Sequence, residues 1–131
     1  MAMMSGGCLC GAVRYEAEGP LLDAGYCHCR MCQRQSGSPV MTWASVPAGT
    51  LRYVAGEPAV YRSSAIGERR FCARCGSGLE FRALADPDTV ALNSGTLDDP
   101  SLAPPRKHIW TMSQVSWFVT ADDLPDHPED G

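Results

Sequence analysis

The 131 residues (14.1 kDa) suffice for one domain that buries roughly two-thirds of its unfolded surface, and a composition of 44% hydrophobic and 20% charged residues excludes a disordered chain. The net charge of −4 arises at the end of the chain, where Asp122, Asp123, Asp126, Glu129 and Asp130 fall within the last ten residues; the first 121 carry a net +1, which excludes the basic footprint of a nucleic-acid binder. No apolar run approaches the ~18 residues of a membrane span, and Met1 to Gly7 lacks the basic and apolar regions of a secretory leader, so a cytoplasmic protein with neither membrane nor nucleic-acid partners is expected.

Thirteen glycines and ten prolines favour short strands and many turns over long helices. The alternation of Ala12-Val13-Arg14-Tyr15-Glu16 predicts a half-buried strand. A short helix is predicted from Arg30 to Gln35, followed by strands over Pro39 to Val46 and Leu51 to Val54. After the turn signal Gly56-Glu57-Pro58, Ala59 to Arg62 is predicted as a strand. Arg69 to Phe71 and Leu79 to Arg82 should flank the last cysteine pair, and Asp86-Pro87-Asp88 should turn into a strand over Thr89 to Leu92. The predicted fold class is therefore mainly β, a single domain of short antiparallel strands with one short helix, spanning residues 6–120. Residues 121–131 read as an acidic, mobile tail.

Seven cysteines in a chain of this kind should be reduced thiols, and an odd number cannot pair completely. They fall into three groups: Cys8-x-Cys10, Cys27-x-Cys29-x-x-Cys32 and Cys72-x-x-Cys75. Two residues between ligands let one tight turn aim both sulfurs at a tetrahedral zinc, and Gly76 and Gly78 suit such a turn through positive φ. Clustering of every cysteine argues against simple core packing, and the spacings do not match ferredoxin patterns. Four plus three is the natural division. The pairs Cys8/Cys10 and Cys72/Cys75 would close one site, leaving Cys27, Cys29 and Cys32 to hold a second ion with its fourth position open. The count alone does not prove this partition, and it also permits a division in which one of the outer pairs joins the central group.

The run Gly6-Gly7-Cys8-Leu9-Cys10-Gly11-Ala12-Val13-Arg14-Tyr15, followed by Cys27-His28-Cys29-x-x-Cys32 with Ser36-Gly37-Ser38-Pro39, and then by Phe71-Cys72-x-x-Cys75-Gly76, resembles the glutathione-dependent formaldehyde-activating enzyme family. Centromere protein V homologues share that domain. The segment from His108-Ile109-Trp110 to Trp117-Phe118 resembles the family's closing signature, so the likeness covers nearly the whole chain. The resemblance implies a zinc-stapled β-tent with two zinc ions per chain. It assigns Cys8, Cys10, Cys72 and Cys75 to a structural ion, and Cys27, Cys29 and Cys32 to the ion at the active site. It further implies a carbon–sulfur lyase that adds glutathione to formaldehyde.

Other residues near these motifs are weighed by spacing and chemistry. His28, lying between two ligands, should aim away from their metal. His108 is a candidate proton carrier at the open site, whereas His127 should be solvated in the tail. Arg30 and Arg34, four apart on the short helix, share one face and are candidates to meet a ligand carboxylate. Trp43, Trp110 and Trp117 read as core residues, and Asp98-Asp99-Pro100 as a turn. Three thiolates leave a net −1 on a zinc ion, which favours handling a fourth thiolate over polarising a carbonyl. The expected partners are thus a small glutathione-like thiol and an aldehyde. The rival expectation is a non-catalytic two-zinc β module that binds a thiol or a protein partner. Oligomeric state is not specified.

Overall fold

A computed structural model describes residues 3–130. Ten strands and one α-helix follow in chain order: β1 (Met4–Gly7), β2 (Arg14–Ala17), β3 (Asp23–Cys27), α1 (Arg30–Ser36), β4 (Met41–Pro47), β5 (Leu51–Ala55), β6 (Ala59–Ser64), β7 (Gly67–Phe71), β8 (Gly78–Ala83), β9 (Thr89–Asn93) and β10 (His108–Ile109). The fold is mainly β with a single short helix, as the turn-rich composition predicts. Among the described residues no helix is long and apolar enough to cross a membrane.

The strands form two open sheets. A small antiparallel sheet has the order β1-β2-β5, and a larger one the order β10-β3-β4-β9-β8-β7-β6. Every pairing is antiparallel except β10 with β3, where Ile109 sits beside Cys27. Seven of the strands, β2 and β4 to β9, lie where the alternation of apolar and polar residues places them, and the two-residue β10 was not predicted. Two more were not predicted because glycine interrupts the pattern: β1 reads Met-Ser-Gly-Gly and β3 reads Asp-Ala-Gly-Tyr-Cys. In β1 the glycine is required for close approach, since a Cβ on Gly6 would lie 2.4 Å from the Thr96 carbonyl oxygen and 2.5 Å from the Tyr15 hydroxyl.

The core lies between the sheets. Tyr15, Ala17, Ala44, Val46, Leu79, Val90 and Leu92 have no exposed surface, and Cys8 and Cys72 are packed into the same cluster. Polar contacts also tie the sheets together. Tyr53 of β5 donates its hydroxyl proton to the buried Glu80 of β8, which is also paired with Arg82. Arg14 of β2 holds Asp98 through two hydrogen bonds, one of 2.9 Å. A second, smaller cluster contains Cys27, Cys32 and Met41, with Cys29, Trp43, Ile109 and Trp110 packed against it. Trp43 and Trp110 are thus part of the packing, as expected, but Trp117 is 74% exposed and is not a core residue.

The acidic tail departs from expectation. Instead of fraying after Thr120, the chain returns along β10. The amide of His108 donates to Pro125 O, His127 N donates to His108 O, and Trp110 N and Thr111 N donate to Glu129 O and His127 O. This satisfies the outer edge of a two-residue strand that would otherwise expose its backbone groups.

Candidate functional site

The seven cysteines gather as four and three. The sulfurs of Cys8, Cys10, Cys72 and Cys75 lie within 4.8 Å of one another, and those of Cys27, Cys29 and Cys32 do the same. The division in which an outer pair joins the central group is thereby set aside. Cys8 Sγ and Cys10 Sγ are 3.6 Å apart, and Cys10 Sγ and Cys72 Sγ are 3.8 Å apart. Both separations are far beyond a disulfide bond of ~2.05 Å. They match the ~3.8 Å edge of a tetrahedron whose centre lies ~2.3 Å from each sulfur.

Local backbone shape explains how these sulfurs are aimed. At the first site, Cys8 N donates to Val13 O over 3.0 Å, closing a tight loop around Cys10. The amide of Val13 points back at Cys8 Sγ over 3.3 Å, and that of Cys75 at Cys72 Sγ over 3.4 Å. Gly76 takes φ +83°, and its amide donates to Cys72 O over 2.8 Å, so the turn closes. Gly78 serves a different purpose from the one expected. Its φ is not left-handed; a Cβ there would instead lie 2.8 Å from the Gln35 amide and 2.9 Å from the Asn93 amide. The Ser77 hydroxyl lies 3.3 Å from Cys75 Sγ and, with its backbone, holds that thiol down at about 5.

At the second site Cys27 ends β3, beside Ile109 of β10 and Met41 of β4. Cys29 caps α1, its sulfur accepting from Cys32 N at 3.2 Å, and Cys32 lies one turn into the helix. Hydrogen bonds from Cys27 and Cys32, helped by the Cys32 amide and the charge of Arg69, hold the Cys29 thiol far down, at about 2. The same sharing with Cys29 pushes the Cys27 thiol strongly up. Three sulfurs this close can all be ionised only around a cation. The donor sets and their spacing therefore fit metal ions at both sites, with four sulfurs at one and three at the other.

The remaining candidates are placed unequally. Arg30 and Arg34 are exposed on α1 and line a shallow cleft of about 290 Å³ with Gln33, Gly37, Ser38 and Val115. Arg30 also donates to the Gln33 side chain. His108 is not brought to the three-cysteine group as a free base. It is 2% exposed, its Nδ1 lies 2.9 Å from His28 Nε2, and its Nε2 lies 3.1 Å from the Asp122 carboxylate. Because Asp122 only accepts, the His108 Nε2 proton points to it, and a neutral His108 then accepts at Nδ1 from His28 Nε2. His28 turns away from the cysteine ligands into this chain of rings, as predicted, and burial pushes its basicity down.

Three residues were missed. Gln33 is buried and its amide binds both His28 O and Ser113 O, at 2.9 and 3.1 Å. Asp122 was assigned to the tail and instead anchors His108. Arg69 is 4% exposed, and its Nη2 lies 3.5 Å from Cys32 Sγ. The charged run Glu68-Arg69-Arg70 holds the only sequence signal for it, since strand alternation sends Arg69 to the face opposite its two charged neighbours. A second cleft, of about 340 Å³, runs between the end of α1 and the Cys75 turn, and is lined by Gln35, Thr42, Ser77, Asn93 and Thr96.

A Halomonas elongata protein, named provisionally as a glutathione-dependent formaldehyde-activating enzyme, is 28% identical over 124 residues, covering 88% of this chain and 79% of its own. A Schizosaccharomyces pombe protein named as an uncharacterised lyase is 35% identical over 85 residues, covering 62% of this chain and 58% of its own. The crystal structure of a Rhodobacter sphaeroides protein shares the fold, with a TM-score of 0.62 and 23% identity over 94% of this chain and 99% of that one. The sequence model of the glutathione-dependent formaldehyde-activating enzymes matches residues 3–113, and the chain belongs to that family.

Proposed function

We propose that the protein is a zinc-dependent carbon–sulfur lyase that adds a glutathione-like thiol to formaldehyde or a related aldehyde, and catalyses the reverse cleavage. The observation that carries this reading is the group of Cys27, Cys29 and Cys32, three sulfurs with no fourth protein donor among the described residues. Such a set is the pattern of a reactive centre, whereas the four-sulfur set of Cys8, Cys10, Cys72 and Cys75 is the pattern of a structural one. Two zinc ions per chain are the proposed complement, in a domain of residues 6–120. Seven unpaired thiols suit a reducing compartment, the cytoplasm.

When bound at the three sulfurs, zinc would supply a place where a thiol loses its proton near neutral pH. The chain's own residues do the rest. Arg30 and Arg34, on the helix that carries Cys29 and Cys32, meet the carboxylates of the thiol and orient it. Trp43, Ile109 and Trp110 pack against the cysteine group and limit water there. In the forward direction the sulfur forms a bond to the aldehyde carbon, and the carbonyl oxygen takes up the proton that the thiol gave up. The product is a hydroxymethyl thioether. The reverse returns that proton to sulfur and releases the aldehyde.

NMR exchange spectroscopy of glutathione with formaldehyde tests the reading directly. The wild-type protein should speed exchange between free glutathione and its hydroxymethyl adduct, and Cys29→Ser should not. Exchange at the uncatalysed rate, with glutathione bound, would replace the lyase by a two-zinc module that binds thiols without turnover.

A further inference from the structure

Arg69 is a buried cation without a carboxylate. It lies at the middle of β7, between Tyr61 of β6 and Phe81 of β8. Its guanidinium sits over the Phe81 ring, 5.0 Å from the centroid, and its Nε has no hydrogen-bond partner. Strand alternation sends Glu68 and Arg70 to the other face, where both are engaged with each other, and Arg70 and Arg82 with Glu80. Among the described residues, Arg69 pairs with no acidic side chain; its one side-chain hydrogen bond runs from Nη2 to Cys32 Sγ, at 3.5 Å. Burying a guanidinium against a neutral thiol and a phenyl ring is costly, whereas burying it against a thiolate is compensated.

We propose that Arg69 is the fixed countercharge of the three-cysteine centre, a positioning residue that makes this centre select an anionic thiolate as its fourth ligand. The inference rests on the reading of that centre as an open metal site. Three thiolates around a divalent cation sum to −1, and Arg69 brings the buried ensemble to zero. A further thiolate then takes it to −1 instead of −2, a much smaller desolvation cost in a low-dielectric pocket. Among the described residues no cationic side chain hydrogen-bonds a sulfur of the four-cysteine site, and Arg14, whose charge is felt by Cys8, is already paired with Asp98. The sulfurs of that site receive backbone amides and the Ser77 hydroxyl, and Cys10 is exposed to water.

The test uses the full chain with cobalt(II) in both sites, reading the sulfur-to-metal absorption as ligand is added. Two uncharged probes are compared: 2-mercaptoethanol, which binds as a thiolate and carries no carboxylate for Arg30 or Arg34, and imidazole, which binds neutral. Arg69→Gln should weaken mercaptoethanol by at least about tenfold, the scale of a charge-assisted contact, and leave imidazole within about twofold. Arg69→Lys should keep both affinities within about threefold, because the charge is retained. Equal weakening of both probes by Arg69→Gln, or no weakening of either, would overturn the proposal while leaving the open site standing. Should Arg69→Gln fail to hold the second ion, Arg69→Lys decides: thiol binding retained supports the countercharge role, and thiol binding lost overturns it. Failure of the wild-type protein to bind either probe would overturn the open-site reading, and this proposal with it.

Discussion

Arg69 hydrogen-bonds the three-cysteine group, whereas Arg30 and Arg34 lie on the helix that Cys29 caps, and the two kinds of arginine should respond differently to mutation. Arg30 and Arg34 are exposed at the rim of the 290 Å³ cleft, so removing them should cost binding and not folding. Charge-assisted contacts to carboxylates contribute about 1.5–3 kcal/mol each, so an Arg30→Ala/Arg34→Ala double mutant should bind glutathione at least about tenfold more weakly. Calorimetry against both glutathione and 2-mercaptoethanol checks the assignment, since only the first has carboxylates to lose. Equal weakening of the two ligands would show that the arginines act on the cluster and not on the substrate. Arg69 illustrates what the sequence hides at this scale. Its neighbours are charged on both sides, and only the register against Phe81 shows that it takes the face opposite to theirs, where it alone of the three is buried.

The element that carries the least sequence signal is the C-terminal return. Pro125, Asp126 and His127 have no alternation or apolar content, so their composition reads as a tail. What holds them is a set of long-range partners: the edge of β10 and the buried imidazole of His108. By contrast, β4 to β9 were legible because alternation and turn residues are local properties, and α1 because it lies between a cysteine cap and Gly37. The docking of the return should depend on Asp122, whose carboxyl is held below its ordinary value by the Thr120 hydroxyl and by His108. A depressed carboxyl stabilises the docked form above the unfolded value of ~3.9 and ceases to do so as pH falls through the folded one. Metal ligands also protonate in acid, so the cleaner measurement is Asp122→Asn at neutral pH. The amides of His127 and Trp110 should then exchange several-fold faster, while those of α1 stay unchanged. Unchanged exchange at His127 would mean that the backbone ladder alone holds the segment.

On the scale of the whole molecule, the two cysteine groups occupy different mechanical positions; spacing made four plus three the natural division, and the positions of the sulfurs exclude the rival in which an outer pair joins the central group. Cys8 and Cys72 belong to the main core with Tyr15, Leu79 and Leu92, and their site joins β1 and β2 to the turn between β7 and β8. Sixty-one residues separate Cys10 from Cys72, so a metal ion here would close a long loop as well as neutralise four clustered thiols, of which only Cys10 is exposed. Cys27, Cys29 and Cys32 lie within one strand end and one helix turn, already fixed by β4 and β10. Metal binding energy is folding energy only where the metal joins parts that would otherwise separate, with apparent values of about 10–16 kcal/mol for structural zinc in small peptides. Cys72→Ser should therefore collapse the fold, whereas Cys29→Ser should lose one ion and leave the β signal in circular dichroism intact. Graded chelation of the wild-type protein should show the same order, with one ion released while the protein stays folded and the second released together with unfolding. Simultaneous loss of both ions, or equal collapse of the two serine variants, would show that the sites are not divided into a staple and a reactive centre.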